Sequence, residues 1–116
     1  IGHEAGLKVT SGKVTAVGSR AFHENTTGTG NVGLGEDVAY YNTTGSYNVA
    51  IGNAAAQANT TGDRNVHIGQ QAGEYNTGLL ITAVGNQAGQ GLVNNTNAGS
   101  YSTFIGAYAG QEINTG

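Results

Sequence analysis

Tyr41-Asn42-Thr43-Thr44-Gly45-Ser46-Tyr47-Asn48-Val49-Ala50-Ile51-Gly52 is the stretch whose reading decides the fold. Asn48 to Ile51 has the period-2 pattern of a short strand, with Val49 and Ile51 on one face and Ala50 on the other. Asn42 to Gly45 is turn chemistry. Glycine takes positive φ without steric cost, and asparagine bonds its own backbone. One strand and one turn in so few residues cannot bury a core, so the stretch is informative only if it recurs.

It does recur. A glycine preceded by a branched aliphatic stands at Gly2, Gly18, Gly35, Gly52, Gly69, Gly85 and Gly106, at spacings of 16, 17, 17, 17, 16 and 21 residues. Three residues after each anchor comes Ala5, Ala21, Val38, Ala55, Ala72, Ala88 or Ala109. A turn follows, as Thr10-Ser11-Gly12, Asn25 to Gly28, Asn42 to Gly45, Asn59 to Gly62, Asn76-Thr77-Gly78 and Asn114-Thr115-Gly116, with a longer version from Asn94 to Gly99. Such internal periodicity is the signature of a solenoid.

The expected fold is all-β: a parallel β-solenoid, a β-roll or β-helix of about 17-residue coils, elongated and homotrimeric. Residues 1–116 form a single array without a separate globular domain, and both ends cut through it, so a longer protein is expected to continue. The Ala-centred segment is expected to be a second short strand, or a helical turn over Asn53 to Gln57. Ordering one coil costs on the order of 25 kcal/mol at ~1.5 kcal/mol per residue. Burial of two aliphatics and an alanine returns only a few kcal/mol at ~25 cal/mol per Å². Stability must therefore come from stacking, at about 4.8 Å per coil, which makes about six coils a rod of roughly 30 Å.

Composition narrows the function. Glycine contributes 21 residues, Pro, Cys, Met and Trp are absent, and only 9% of residues are charged, against roughly 25% on average. Absence of cysteine excludes disulfides and thiolate metal sites. The four basic residues, Lys8, Lys13, Arg20 and Arg64, do not cluster, which argues against a nucleic-acid partner. No apolar run approaches the ~20 residues of a membrane span, so membrane insertion is not expected.

The two strand faces carry the interaction argument. Val17, Leu34, Ile51, Ile68, Val84 and Ile105 are assigned to the coil core because they are bulky and apolar. Ala16, Gly33, Ala50, His67, Ala83 and Phe104 then lie on the opposite face, outside the coil. Small residues there admit another backbone, and the face reads as an oligomer interface along a shared axis. In a trimer, three copies of His67 would meet near that axis, which makes it a weak metal or anion candidate. Phe104 would form an aromatic plug.

The repeat resembles the Asn-Thr-Thr-Gly-x-x-Asn-x-Ala-Ile-Gly repeat of tailed-phage fibres. It is also similar to the head repeat of trimeric autotransporter adhesins, a left-handed β-roll. Handedness and trimerisation through inner strands are what this resemblance implies. So is the function, a shaft segment of a trimeric tail fibre that presents a receptor-binding tip, located in a virion fibre or at a cell surface. Its partners would be its own copies, other fibre segments, and host glycan or protein. The alternatives are an adhesin head that binds host surface or glycan, and an ice-binding solenoid with threonine ladders.

No catalytic constellation is assembled by spacing, no cofactor is implied, and an enzyme is not expected. Gly28-Thr29-Gly30-Asn31-Val32-Gly33 matches a dinucleotide fingerprint literally, but it lies where a strand, not a helix, should follow. Glu36-Asp37 is the only adjacent carboxylate pair and reads as a solvated corner whose side chains diverge. The Asn-x-Ser/Thr sequons at Asn25, Asn42, Asn59 and Asn94 coincide with turns that select those residues on conformational grounds. Tyr40, Tyr41, Tyr47, Tyr75, Tyr101 and Tyr108 are scattered and define no regular site.

Overall fold

The structure, a computed structural model, describes residues 1–91 and 100–111. The lengthened turn at Asn94 to Gly99, the Asn94 sequon and the last turn from Asn114 lie outside them. The described chain is a parallel β-solenoid. Its strands are β1 (Val14–Val17), β2 (Asn31–Leu34), β3 (Val49–Ile51), β4 (Val66–Ile68), β5 (Thr82–Val84) and β6 (Thr103–Ile105). Each pairs in parallel with the next, in the order β1-β2-β3-β4-β5-β6. The register is that of the repeat: Val32 faces Val49, Val49 faces Val66, and Val66 faces Thr82. Among the described residues no helix is present.

The other wall of each coil is neither a strand nor a helical turn, contrary to expectation. It is a ribbon of overlapping reverse turns. Ala21 N–H bonds Gly18 O at 3.3 Å, His23 N–H bonds Arg20 O at 3.2 Å and Asn25 N–H bonds Phe22 O at 3.2 Å. The residues between them bond across coils. Arg20 N–H reaches His3 O at 2.8 Å, Phe22 N–H reaches Val38 O at 3.0 Å, and Glu24 N–H reaches Tyr40 O at 3.0 Å. Every amide from 20 to 25 is thereby satisfied, which is the requirement a buried backbone must meet. The cost is conformational. Arg20 and Phe22 hold φ of 56° and 51°, and the pattern recurs at Asp37 and Ala39 and at Ala54 and Ala56. Left-handed backbone costs a non-glycine residue about 1–2 kcal/mol. Continuous stacking on both sides offsets it.

The anchor glycines make the stacking possible. Gly52 has φ of 123°, and a Cβ placed on it would stand 2.6 Å from the carbonyl carbon and oxygen of Gly69 in the next coil. The obstacle is backbone and has nowhere to move.

The core sits between the two walls, and its lining overturns the face assignment made from the sequence. Ala50, His67 and Ala83 are fully buried. Gly33 is buried, Ala16 packs against one core cluster and Phe104 against another. The small-residue face points into the coil. Val17, Leu34, Ile51, Ile68, Val84 and Ile105 point out of it, with Leu34 40% and Ile105 64% exposed. Alternation shows that two faces exist and does not say which is inside. Bulk was the wrong guide because the space between the walls is too narrow for two rows of branched aliphatics.

Volume compensation records that narrowness. Where Phe22 enters the core, the facing strand residue is Gly33, whose added Cβ would lie 2.6 Å from the Phe22 ring. Gly73 faces the ring of His67, and Gly89 and Gly110 face that of Phe104. Where no ring enters, alanines meet, as Ala39, Ala50 and Ala56 do. Each layer holds about one large group, as close packing demands.

Two buried asparagine ladders close the corners beside the Thr-Thr-Gly turns. Asn42 Nδ2 donates to Gly45 O of its own turn at 3.0 Å and to Asn25 Oδ1 of the previous coil at 2.7 Å. Asn48 Nδ2 donates to Gly62 O at 2.9 Å, while Asn48 N–H donates to Asn31 Oδ1 at 2.9 Å. Asn65 N–H and Ile81 N–H continue the second ladder, each at 2.9 Å. The first ladder stops at Asn59, whose Oδ1 is buried without a partner. The next turn is one residue shorter, and Asn76 Oδ1 there accepts from Gly78 N–H at 3.0 Å.

Candidate interaction face

The outward face of the sheet is built from two columns in register. One is Thr15, Val32, Val49, Val66, Thr82 and Thr103; the other is Val17, Leu34, Ile51, Ile68, Val84 and Ile105. β-Branched side chains favour such a pleated surface. Stacking along each column covers part of every side chain and leaves the outer part to water. Ile1 continues the second column, since Gly18 N–H bonds Ile1 O at 2.7 Å. Along the edge where the strands begin stand Tyr47, Arg64, Leu80 and Tyr101 in successive coils, with the Arg64 guanidinium carbon 5.7 Å from the Tyr47 ring centroid. No charged residue stands in either column. A contiguous apolar surface of this kind marks an interaction site in soluble proteins.

The residues assigned to a trimer interface from the sequence are therefore inside the coil and are not available to a second chain. His67 is the sharpest case. It is fully buried between the Ala50 cluster and the Ile81–Ala83 cluster, and neither Nδ1 nor Nε2 has a hydrogen-bond partner. Burial pushes its pKa from 6.5 down to about 4, because a charged imidazole has nothing to solvate it there. Its ring is enclosed by its own coil and the two beside it. Among the described residues no group of three His, Asp or Glu side chains stands close enough to hold a metal ion.

Asn25, Asn42 and Asn59 are buried in the first ladder, so those sequons are structural in this fold. Thr26 and Thr43 spend their hydroxyls on the next coil's threonine carbonyl, at 3.2 and 3.1 Å. Thr27, Thr44 and Thr61 are left as the exposed column. Gly28 to Gly33 runs from a turn into β2.

One cluster escaped the sequence reading. Glu36 and Asp37 converge on Arg20, at 3.8 and 2.8 Å. Strand alternation would have separated them, but Asp37 has φ of 56° and lies in the turn ribbon. Tyr40 stacks on His23 with centroids 4.8 Å apart, and Tyr41 meets Tyr40 edge-on at 4.7 Å. The available signal was the 17-residue offset that aligns Arg20 with Asp37 and His23 with Tyr40.

Compared with family models, curated proteins and solved structures, the chain matches none.

Proposed function

We propose that this chain is a stretch of the shaft of a homotrimeric extracellular fibre, in which three copies pack through the outward sheet face around a common axis. The observation that carries the reading is the uncharged double column of Val, Ile, Leu and Thr, unbroken through six strands on an otherwise polar coil. Five strand spacings of about 4.8 Å give it a length of roughly 24 Å. A solitary solenoid has no physical reason to keep such a face apolar. Threefold closure covers all copies equally and leaves no open partner surface. The role is mechanical: stacked coils and a shared apolar seam give a stiff element that holds other parts of a fibre apart. The resemblance of the repeat to tailed-phage fibres agrees with this. An adhesin head would use the same trimer and add a ligand on the outer wall, and the Tyr40–Tyr41 cluster favours keeping it as the second reading.

Native mass by light scattering tests the proposal. Three chains per particle is the expected result, with Ile51→Asp shifting the particle to single chains because three carboxylates would face one another in an apolar seam. A stable wild-type monomer at micromolar concentration would overturn it.

A further inference from the structure

The turn wall carries a notch of about 140 Å³ lined by Arg20, Asp37, Tyr40, Tyr41 and Gln57. It exists because adjacent coils differ in size at equivalent positions. Asp37 and Tyr41 are followed one coil later by Ala54 and Ala58, since Ala54 N–H bonds Glu36 O and Tyr41 N–H bonds Gln57 O, both at 3.0 Å. Large side chains therefore stand beside a step lined by alanine.

The one cation in the notch is already paired, and the carboxylates around it outnumber it. Asp37 Oδ2 takes Arg20 at 2.8 Å, and Glu36 adds a second carboxylate at 3.8 Å from the guanidinium. An anionic ligand would find its only cation neutralised. A cationic ligand would compete with Arg20 both for the carboxylate and for the Tyr40 ring, whose centroid is 5.9 Å from the guanidinium carbon. Net recognition of either charge is weak. What remains is a set of planar polar groups with donors and acceptors to spare. Asp37 Oδ1 is buried and Oδ2 is taken by Arg20, so the groups left to a ligand are the remaining guanidinium N–H donors of Arg20 and the Gln57 side chain, which offers both an amide donor and a carbonyl acceptor.

The aromatic surface is also specific. His23 stacks on Tyr40 at an interplanar angle of 3°, so that ring is engaged. Tyr41 stays 52% exposed while its edge-on contact with Tyr40 fixes its orientation. A ring held before the ligand arrives loses little rotamer freedom on binding. One exposed aromatic face beside neutralised, hydrogen-bonding polar groups matches a ligand with an apolar face and a rim of hydroxyls. A pyranose has that chemistry: axial C–H groups for the ring, and hydroxyls that both donate and accept. The notch is well below the ~300 Å³ of an enclosing pocket, so it suits one exposed sugar residue at a chain end or branch.

We infer that the Tyr41 notch is a binding site for a neutral pyranose of a surface glycan, with Tyr41 as the stacking platform, Arg20 and Gln57 as hydroxyl partners, and Asp37 holding the Arg20 guanidinium in place. The inference rests on the turn wall alone and holds whether the chain is a monomer or a trimer.

Saturation-transfer NMR reads binding, and because the chain has six tyrosines of which two line the notch, the change in tyrosine emission is assigned to the site by comparison with Tyr41→Phe. The probes are the methyl glycosides of glucose, galactose, mannose and N-acetylglucosamine, with tetramethylammonium and glucuronate as charged counterparts. At least one neutral glycoside is expected to bind with a dissociation constant on the order of 1 mM. Tyr41→Ala and Gln57→Ala should each weaken it about tenfold or more, Tyr41→Phe should retain it, and Tyr108→Ala should leave it unchanged. If Tyr41→Ala does not fold, saturation transfer from the Tyr41 ring of the wild type to the sugar C–H protons decides the matter. Absence of binding by every neutral glycoside would overturn the inference. So would binding that survives Tyr41→Ala, or capture of only the charged probes.

Discussion

The strand wall and the turn wall of this solenoid stack at the same spacing and obey different rules. On the strand wall the backbone is ordinary parallel sheet, and the sequence is constrained only in which side chains fit each face. On the turn wall φ changes sign from residue to residue, at Arg20 and Phe22 and again at Ala54 and Ala56. Side-chain identity there is loose, since Arg20, Asp37, Ala54, Gln71 and Gln87 all occupy one left-handed position. Rigidity is imposed instead by the anchor glycines at its start. A strand wall tolerates changes that its neighbours can absorb; a turn wall fails where backbone meets backbone.

A paired substitution breaks the comparison most sharply. Gly52→Ala places a methyl 2.6 Å from the Gly69 carbonyl at a φ that alanine resists, and should cost about 3–5 kcal/mol in denaturant unfolding. Gly33→Ala on the strand wall meets the end of the Phe22 ring at the same 2.6 Å. Its loss should be recovered in large part by Phe22→Leu, whereas no side-chain change should rescue Gly52→Ala. Equal rescue of both would remove the distinction between the walls.

The next effect belongs to the core between the walls. His67 in the folded chain has a pKa of about 4 against 6.5 when unfolded. Between those values the unfolded chain binds a proton that the folded chain excludes. Stability is therefore full above pH 6.5 and falls as the pH drops toward 4, by about 3 kcal/mol. His67→Ala with Gly73→Ala restores the alanine layer seen around Ala50, and Ala39 and Ala56 already accept the φ that Gly73 has. The double variant should lose that part of the acid slope. An unchanged difference between pH 7 and pH 4.5 would show that His67 is not sealed.

The corner that joins the walls should show the smallest of these effects. Asn48→Ala removes the acceptor of Asn65 N–H and the donor to Gly62 O. Gly62 O keeps Asn59 Nδ2 at 3.1 Å, so the buried Asn65 N–H is the group left unpaired, which should cost about 2 kcal/mol. Asn31→Ala should cost about as much, because it leaves Asn48 N–H without its acceptor in the same way. All three comparisons need one protein concentration, since association stabilises the folded chain by mass action.

Much of the site was legible in the residues and some was misread. The column of Val17, Leu34, Ile51, Ile68, Val84 and Ile105 was recognised as a set, in its true register, and assigned to the wrong side; the Thr15 to Thr103 column beside it was not read as one. Their apolar character was sound; the inference from bulk to burial was not, because it took no account of how close the turn wall comes. Gly33 opposite Phe22 and Gly73 opposite His67 were the sequence traces of that closeness, but they are 11 and 6 residues apart. Nothing local identifies them as facing pairs. The Arg20–Asp37–Tyr40 cluster was missed because strand alternation was applied to a segment whose backbone does not alternate.

The sequence by itself determined the repeat length, the position of every described strand, the parallel stacking and the all-β class. These follow from local rules: glycine columns where backbones touch, β-branched residues where the chain is extended, Asn and Thr where it turns. Only the tertiary structure decided which face of the strands is the inside and where side chains one coil apart converge. Both depend on the distance between walls, and that distance is set by side chains of several stacked coils packing between them, which no single coil contains.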